Sequence, residues 1–301
     1  MNTTVINQVL ILTLMMIIGV ILRKKKIITD EVNKGLSDIL MYVTLPCMII
    51  YSFNFEFSMD MLKNAVLILF YSFLIHIILI LLSKLLYCKL ESSKKSIFSF
   101  STVFSNCGFV GFPLAQGLLG SIGVFYTSIF TIPFNIFMFT YGVTLFTDKK
   151  DFKSIRKNLA NLPLMCTLLG IIIFLTSTKL PLPLLKTLES IGNMTTSISM
   201  FIIGAMLADI NLEDVFKGFD VYYLSLIKLI IAPIFSFAIL DLIDADKTLT
   251  YLCVILVAMP TASLIGVFAE KYNGDKSTAS RCAFLTTVLS IITIPGILSI
   301  I

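Results

Sequence analysis

Tryptophan is absent from the 301 residues, and histidine occurs once. Any aromatic belt at a membrane surface must therefore be built from the ten Tyr and some of the Phe. Charge is scarce as well, at 14% of residues against about 25% in a soluble domain. The six cysteines show no CxxC and no Cys/His spacing, which argues against a zinc or redox centre. Cys47, Cys107, Cys166 and Cys253 sit inside apolar runs and Cys88 and Cys282 near the ends of others, so all six read as small apolar fillers. What is abundant is apolar: 57% of the chain, with a mean hydropathy of +0.97. A water-soluble globule of this length could not hide so much apolar surface, which excludes a soluble enzyme. The net charge of +5 is confined to short loops, which argues against nucleic acid as a partner. The composition describes an all-α polytopic protein whose solvent is the lipid bilayer.

A spanning helix needs about 20 apolar residues. Ten segments meet that rule: 5–22, 35–53, 64–86, 97–118 and 121–146, then 160–177, 187–208, 219–240, 249–269 and 279–300. The first is read as a retained span and not a signal peptide, because its basic residues Arg23–Lys26 follow the apolar run. The loops after the odd-numbered spans carry eighteen Lys and Arg; the other side carries Lys63, Lys179, Lys186 and Lys247. The positive-inside rule then makes the basic side cytoplasmic and places both termini outside; the expected location is the plasma (inner) membrane. The clusters Arg23–Lys26 and Lys149–Lys157 read as orientation signals.

Ten spans split into two halves of five that start on opposite sides, the arrangement of an inverted repeat. The first repeat is 1–146, a cytoplasmic linker covers 147–159, and the second repeat is 160–301, all within one membrane domain. Ser128-Ile129-Phe130-Thr131-Ile132-Pro133 matches Ser290-Ile291-Ile292-Thr293-Ile294-Pro295 at five of six positions. Gly19 and Gly170 are 151 residues apart, as are Pro46 and Ser197.

The fourth span of each half is interrupted. Span 4 carries Ser105, Asn106, Gly108, Gly111 and Pro113; span 9 carries Pro260, Thr261, Ser263 and Gly266. Proline removes a backbone hydrogen bond and glycine weakens the same turn. In lipid, freed backbone groups are tolerated only where they line a cavity or are buried in protein. Paired interruptions in matching positions point to a transporter site near the midplane, where half-helix N-termini face an anion. Pro46, Pro133, Pro233 and Pro295 read as packing kinks.

Few ionisable residues lie within the spans. Lys228 is the only basic residue deep in a span and should face the bundle interior or snorkel, pairing with the substrate or with an acidic partner. Asp38 lies early in span 2 and reads as a solvated helix-end residue. His76 is expected to hydrogen-bond a neighbouring span, with a proton relay as the competing role. Ser105 and Gln116, with Asn106 and Ser263, are further oxygen donors within reach of the breaks. No cofactor and no metal site is expected.

Asn106, Gly111 and Pro113, with Met259-Pro260 running on to Phe268-Ala269-Glu270-Lys271-Tyr272-Asn273, resemble the auxin efflux carrier family. Gly204-Ala205-Met206-Leu207-Ala208 and Lys228-Leu229-Ile230-Ile231-Ala232-Pro233 are similar too. The family includes plant PIN carriers and bacterial malate and malonate permeases. The resemblance implies ten helices in two inverted repeats, helices 4 and 9 crossing at their breaks, elevator-type motion, and a homodimer. In the plant carriers, the asparagine seven residues before the helix-4 proline contacts the substrate carboxylate; that position is Asn106 here. Three departures stand out. Ser197 replaces a proline of many bacterial members, so span 7 should be less kinked. Ile265 replaces a second helix-9 proline of the plant carriers. The long regulatory loop is reduced to Thr147–Asn158.

The leading expectation is a secondary transporter of small organic anions. Asn106, Gly108, Gly111, Pro113, Pro260, Thr261 and Ser263 form the substrate site, with Lys228, Asp38, Ser105, Gln116 and His76 as accessory candidates. Na+ or H+ are the candidate coupling ions. The alternative is a ligand-binding membrane sensor that uses a transporter fold without net transport. A membrane-embedded enzyme would need paired carboxylates, a His/Glu metal motif or a nucleophile–base pair within the spans, and none is legible.

Overall fold

The structure, a computed structural model, describes residues 2–147, 161–209, 219–272 and 274–300. The linker at 147–159 with its cluster Lys149–Lys157 lies outside them except for Thr147, as does Asn273. Among the described residues the secondary structure is helical, with no strand and one isolated bridge between extended residues. The helices are α1 (Asn2–Lys24), α2 (Asp30–Ile39), α3 (Leu45–Ser52), α4 (Met59–Leu86), α5 (Ser92–Val103) and α6 (Phe112–Phe137). They continue with α7 (Leu162–Leu175), α8 (Leu182–Ala208), α9 (Asp220–Leu226), α10 (Ala232–Leu242), α11 (Lys247–Ala258), α12 (Leu264–Lys271) and α13 (Lys276–Ile300). Among the described residues, seven helical stretches are long and apolar enough to cross a bilayer, and α7 and α11 are shorter apolar helices.

Three prolines share one local device. Each of Pro46, Pro113 and Pro233 follows a π-helical turn, Leu40–Thr44, Cys107–Gly111 and Ile227–Ile231 respectively. The residue just before each proline donates its N–H to the carbonyl five positions back. The wider turn relieves the clash of the pyrrolidine ring with the preceding turn and keeps most of the ladder paired. Pro133 and Pro295 lie inside α6 and α13. Helix α8 runs unbroken through Ser197, in line with the missing proline there.

Cys107–Gly142 reads as one apolar stretch of 36 residues, about 54 Å if straight, too long for a hydrocarbon core of about 30 Å. It is not straight. Gly120 has φ 63° and ψ −147°, a conformation open essentially to glycine alone. A Cβ on Gly123 would come within 2.3 Å of the Ala115 carbonyl oxygen, so the chain doubles back there. The reversal falls between the spans read at 97–118 and 121–146.

Ion pairs tie the loops together at each end of the bundle. Arg23 joins Asp30 and Asp209, Lys94 and Arg281 join Asp220, and Lys276 joins Glu270. A second set links Lys179 to Glu56 and Lys186 to Glu189, which also accepts from Tyr51. Among the described residues, no pair mixes loops that charge counting put on opposite sides. The apolar side chains of α1 divide: Val5, Val9, Leu12 and Met16 are buried, while Leu10, Leu14, Ile17 and Ile21 stay exposed. An apolar face without cover is the normal surface of a helix whose solvent is lipid.

Candidate functional site at the paired helix breaks

Helix α5 ends at Val103, and Phe104 continues in extended conformation with φ −106° and ψ 113°. Asn106 then caps the π-helical turn, its Oδ1 accepting from the Phe109 N–H at 3.2 Å. Helix α11 likewise ends at Ala258, Met259 is extended with φ −59° and ψ 149°, and Ser263 opens α12. Extended backbone inside an apolar bundle must find partners. The two breaks supply them to each other. Ser105 and Thr261 form an antiparallel bridge, the Asn106 N–H donates to the Pro260 carbonyl at 2.7 Å, and the Ala262 N–H donates to the Phe104 carbonyl at 3.0 Å. Pro260 has no N–H to leave orphaned, which suits it to a position where it only accepts.

The side chains close the same knot. Asn106 Nδ2 donates to Ser263 Oγ at 2.9 Å, linking the starts of the two half-helices that follow the breaks. Thr261 is 1% exposed; its N–H donates to Thr286 Oγ1 at 3.2 Å and its hydroxyl to the Ser101 carbonyl at 3.4 Å. Ser105 Oγ donates to the Val257 carbonyl at 3.1 Å. Lys228, fully buried, donates to Ser105 Oγ at 2.7 Å and to the Thr102 carbonyl at 3.3 Å. Unfulfilled backbone in an apolar interior costs about 1–3 kcal/mol per group, so this mutual pairing holds two broken helices in one place.

Space opens beside Ser263. A cavity of about 240 Å³ is lined by Ser263 and Gly266, by Met206 and Leu207 of α8, and by Phe284 and Thr287 of α13. A Cβ on Gly266 or on Gly108 would meet nothing within 4 Å, so both glycines leave the break region open. Gly111 is tighter, its added Cβ lying 3.1 Å from Leu256 Cδ2. Asp209, held by Arg23 at 2.6 Å, lines the same cavity. A larger cavity of about 670 Å³ is lined by Thr4, Leu118, Asp241, Lys247 and Tyr251 among others, and no sequence-predicted site residue borders it.

The structure thus gathers Asn106, Ser105, Pro260, Thr261, Ser263 and Lys228 into one constellation. Pro113 stands buried behind it, shaping the helix after the π-turn. Three candidates fall elsewhere. Asp38 is exposed near the end of α2. Gln116 Nε2 donates to Asn193 Oδ1 at 2.9 Å. His76 corrects an expectation. Its Nδ1 lies 2.6 Å from the Ser72 carbonyl of its own helix, and it is Ser72 Oγ that reaches the next helix, donating to the Phe130 carbonyl at 2.7 Å. The carbonyl one turn back is the nearest acceptor for a ring otherwise enclosed by Phe104, Phe130, Phe134 and Phe137. Thr286, which holds Thr261 in place, was missed. A hydroxyl in an apolar helix gives no hint of which backbone group it will meet.

Long apolar helices, two of them broken and paired through their backbones, define a multi-pass membrane protein of the transport class. Comparison with known proteins gives the family. Residues 4–153 and 151–298 match the family described as membrane transport protein, and the chain belongs to it, the family of the auxin efflux carriers. It is 26% identical over 300 residues to a protein of Methanocaldococcus jannaschii named "Uncharacterized transporter", covering 96% of each chain. It is 24% identical over 212 residues to a Rhizobium meliloti protein named "Putative malonate transporter", covering 67% of this chain and 66% of the relative. A similar level, 26% over 214 residues, relates it to an uncharacterized transporter of Methanothermobacter thermautotrophicus, covering 68% of each.

Proposed function

We propose that this chain is a secondary transporter of small organic anions, with carboxylates as the substrate class. The observation that carries this reading is the Asn106–Ser263 hydrogen bond at 2.9 Å beside an open cavity of about 240 Å³. It joins the N-terminal starts of two half-helices, and helix N-termini favour anions through free N–H groups and the helix dipole. Asn106 and Ser263 supply polar contacts, Thr261 braces the break through Thr286 and Ser101, Gly108 and Gly266 leave room, Pro260 ends α11 and Pro113 shapes the start of α6. The cavity equals roughly eight waters at about 30 Å³ each, a fit for an acid of a few carbons.

The architecture we infer is ten spans in two inverted repeats, 1–146 and 160–301, joined by a cytoplasmic linker at 147–159. Helix packing supports it. A Cβ on Gly19 would lie 2.6 Å from the Phe201 carbonyl and one on Gly204 2.1 Å from the Met16 carbonyl, so α1 and α8 meet backbone to backbone. A Cβ on Gly170 would lie 2.5 Å from the Phe53 ring. The pairs Gly19–Gly204 and Phe53–Gly170 are related by the same 151-residue shift that the sequence shows. The segregated ion pairs support the sidedness, and the basic excess puts both termini outside the plasma membrane. Elevator movement of the break-bearing bundle within a homodimer completes the proposal. The voltage acts on any uncompensated charge, about 2.3 kcal/mol per charge at 100 mV, so export of a monoanion runs downhill while uptake of a dianion needs Na+ or H+.

The test is charge movement and labelled-substrate counterflow in proteoliposomes, with malonate, malate, short monocarboxylates and indole-3-acetate, each with and without sodium and a pH gradient. We expect counterflow of at least one short carboxylate, lost in Asn106→Asp, which keeps the capping oxygen. Silence in both assays for every acid would overturn the carboxylate reading.

A further inference from the structure

Among the described residues Lys228 is the most deeply buried cation, yet it has no carboxylate partner there; the ion pairs all involve other groups. A buried charge without a counter-ion is costly and persists only where something else compensates it. The geometry shows what does. Lys228 Nζ donates to the carbonyl of Thr102, the penultimate residue of α5, at 3.3 Å. It donates also to Ser105 Oγ at 2.7 Å, and Ser105 Oγ donates on to the carbonyl of Val257, the penultimate residue of α11, at 3.1 Å. One ammonium thus serves the C-terminal ends of both helices that stop at the breaks. Each such end carries roughly half a negative charge, so two sum to about one, which one ammonium balances. Lys228 is itself delivered by the π-helical turn Ile227–Ile231 that Pro233 imposes.

Broken helices of ion-coupled carriers present unwound carbonyls and half-helix C-termini to a bound cation. Resting on the anion-transporter reading above, we propose that the Lys228 ammonium is a tethered cation at the C-terminal ends of α5 and α11. It takes the place that a dissociable coupling cation would fill. It leaves the N-terminal starts on the other side of the knot, at Asn106 and Ser263, unopposed for the anion. Lys228 is therefore a positioning residue and not a substrate ligand, and transport needs no sodium.

The experiment compares the wild type with Lys228→Ala, Lys228→Met and Lys228→Arg. The first readout needs no substrate: thermal stability of the purified protein in methylammonium, sodium or choline chloride. Lys228→Ala opens a carbonyl-lined space and should gain a saturable stabilisation by methylammonium or sodium over choline. The wild type, and Lys228→Met with its space filled, should show none. The second readout is malonate counterflow. Exchange of sodium for choline should leave the wild type unchanged, Lys228→Met should lose at least tenfold in apparent affinity, and methylammonium should restore part of the loss in Lys228→Ala. Lys228→Arg should keep more affinity than Lys228→Met. A wild type that requires sodium overturns the proposal, and so does a Lys228→Ala protein indifferent to small cations. Should no acid be carried at all, the first readout still decides on the tethered cation, and only the substrate reading falls. If Lys228→Ala does not fold, Lys228→Met with wild-type affinity overturns the proposal in its place.

Discussion

Asn106 and Pro260 lie 2.7 Å apart, N–H to carbonyl, although more than 150 residues separate them in the chain. That bond, with the Ala262–Phe104 bond beside it, makes one short antiparallel pair inside an otherwise helical membrane protein. Each break on its own would strand backbone groups in an apolar interior. Together they form a rigid floor on which Asn106 and Ser263 are held side by side.

Asn106 caps Phe109 through Oδ1 as well as reaching Ser263 through Nδ2. Truncation to Ala therefore removes a cap of about 0.5–2 kcal/mol along with the contact, and confounds stability with binding. Asn106→Asp keeps the capping oxygen and sets a negative charge where the anion should sit. The melting temperature should fall by no more than in Asn106→Ala, while malonate affinity drops at least tenfold, about 1.4 kcal/mol. Equal affinities in the wild type and the Asp variant would remove Asn106 from the substrate site.

Gly266 lies within α12 and borders the cavity with nothing within 4 Å of a would-be Cβ. Replacing a helix-interior glycine gains up to about 1 kcal/mol in propensity. Gly266→Leu should leave the protein at least as heat-stable while abolishing counterflow, because the side chain fills the space beside Ser263. Undiminished transport would place the substrate elsewhere, with the 670 Å³ cavity near Asp241 and Lys247 as the next candidate.

Gly204 meets the α1 backbone, with only 2.1 Å between an added Cβ and the Met16 carbonyl. Neither helix can yield without moving as a whole. Gly204→Ala should cost about 1–3 kcal/mol and Gly204→Val more, read as a graded loss of melting temperature in detergent. Gly35, whose added Cβ meets nothing within 4 Å, is the control, and Gly35→Ala should be neutral or mildly stabilising.

Asp275, in the connection before α13, accepts from the Thr278 N–H at 2.9 Å and from its hydroxyl at 2.5 Å. Partial burial pushes its carboxyl upward, but the bonds from Thr278, the Ser277 N–H and the nearby Lys94 charge together outweigh that and hold it below the usual carboxylate range. Its stabilisation is thus complete above the ordinary Asp pKa and disappears as pH falls through the lower folded value. Wild-type melting temperature should drop more steeply than that of Asp275→Asn as pH is lowered from about 5 to about 2. Parallel slopes would show that Asp275 contributes no pH-dependent stability.

The broken segments were legible in the chain because proline and glycine act locally. Pro260 stops its helix whatever surrounds it, and small polar neighbours mark where lipid is not the solvent. Pro113, by contrast, lies beyond the span 4 break, which falls at Phe104–Asn106. Lys228 was legible as buried for the same reason: a lone cation in an apolar run must turn inward. Its partner was not. The sequence offered the substrate or an acidic side chain as its partner, and backbone carbonyls at helix ends were not foreseen. Only the meeting of α5 and α11 supplied the carbonyls. His76 shows the converse, since its nearest acceptor was one turn away in its own helix while a bond to a neighbouring span was expected.

What the chain by itself determined is therefore solvent and punctuation: apolar runs of bilayer length and helix stops at fixed positions. These follow from transfer energies and backbone geometry, which each residue carries with it. Tertiary structure alone decided which stops face each other, that Asn106 finds Ser263 and Pro260, and that Lys228 serves two helix ends at once. Hydrogen bonds between residues more than a hundred positions apart depend on how whole helices pack, and no local preference of Asn106 or Lys228 encodes that.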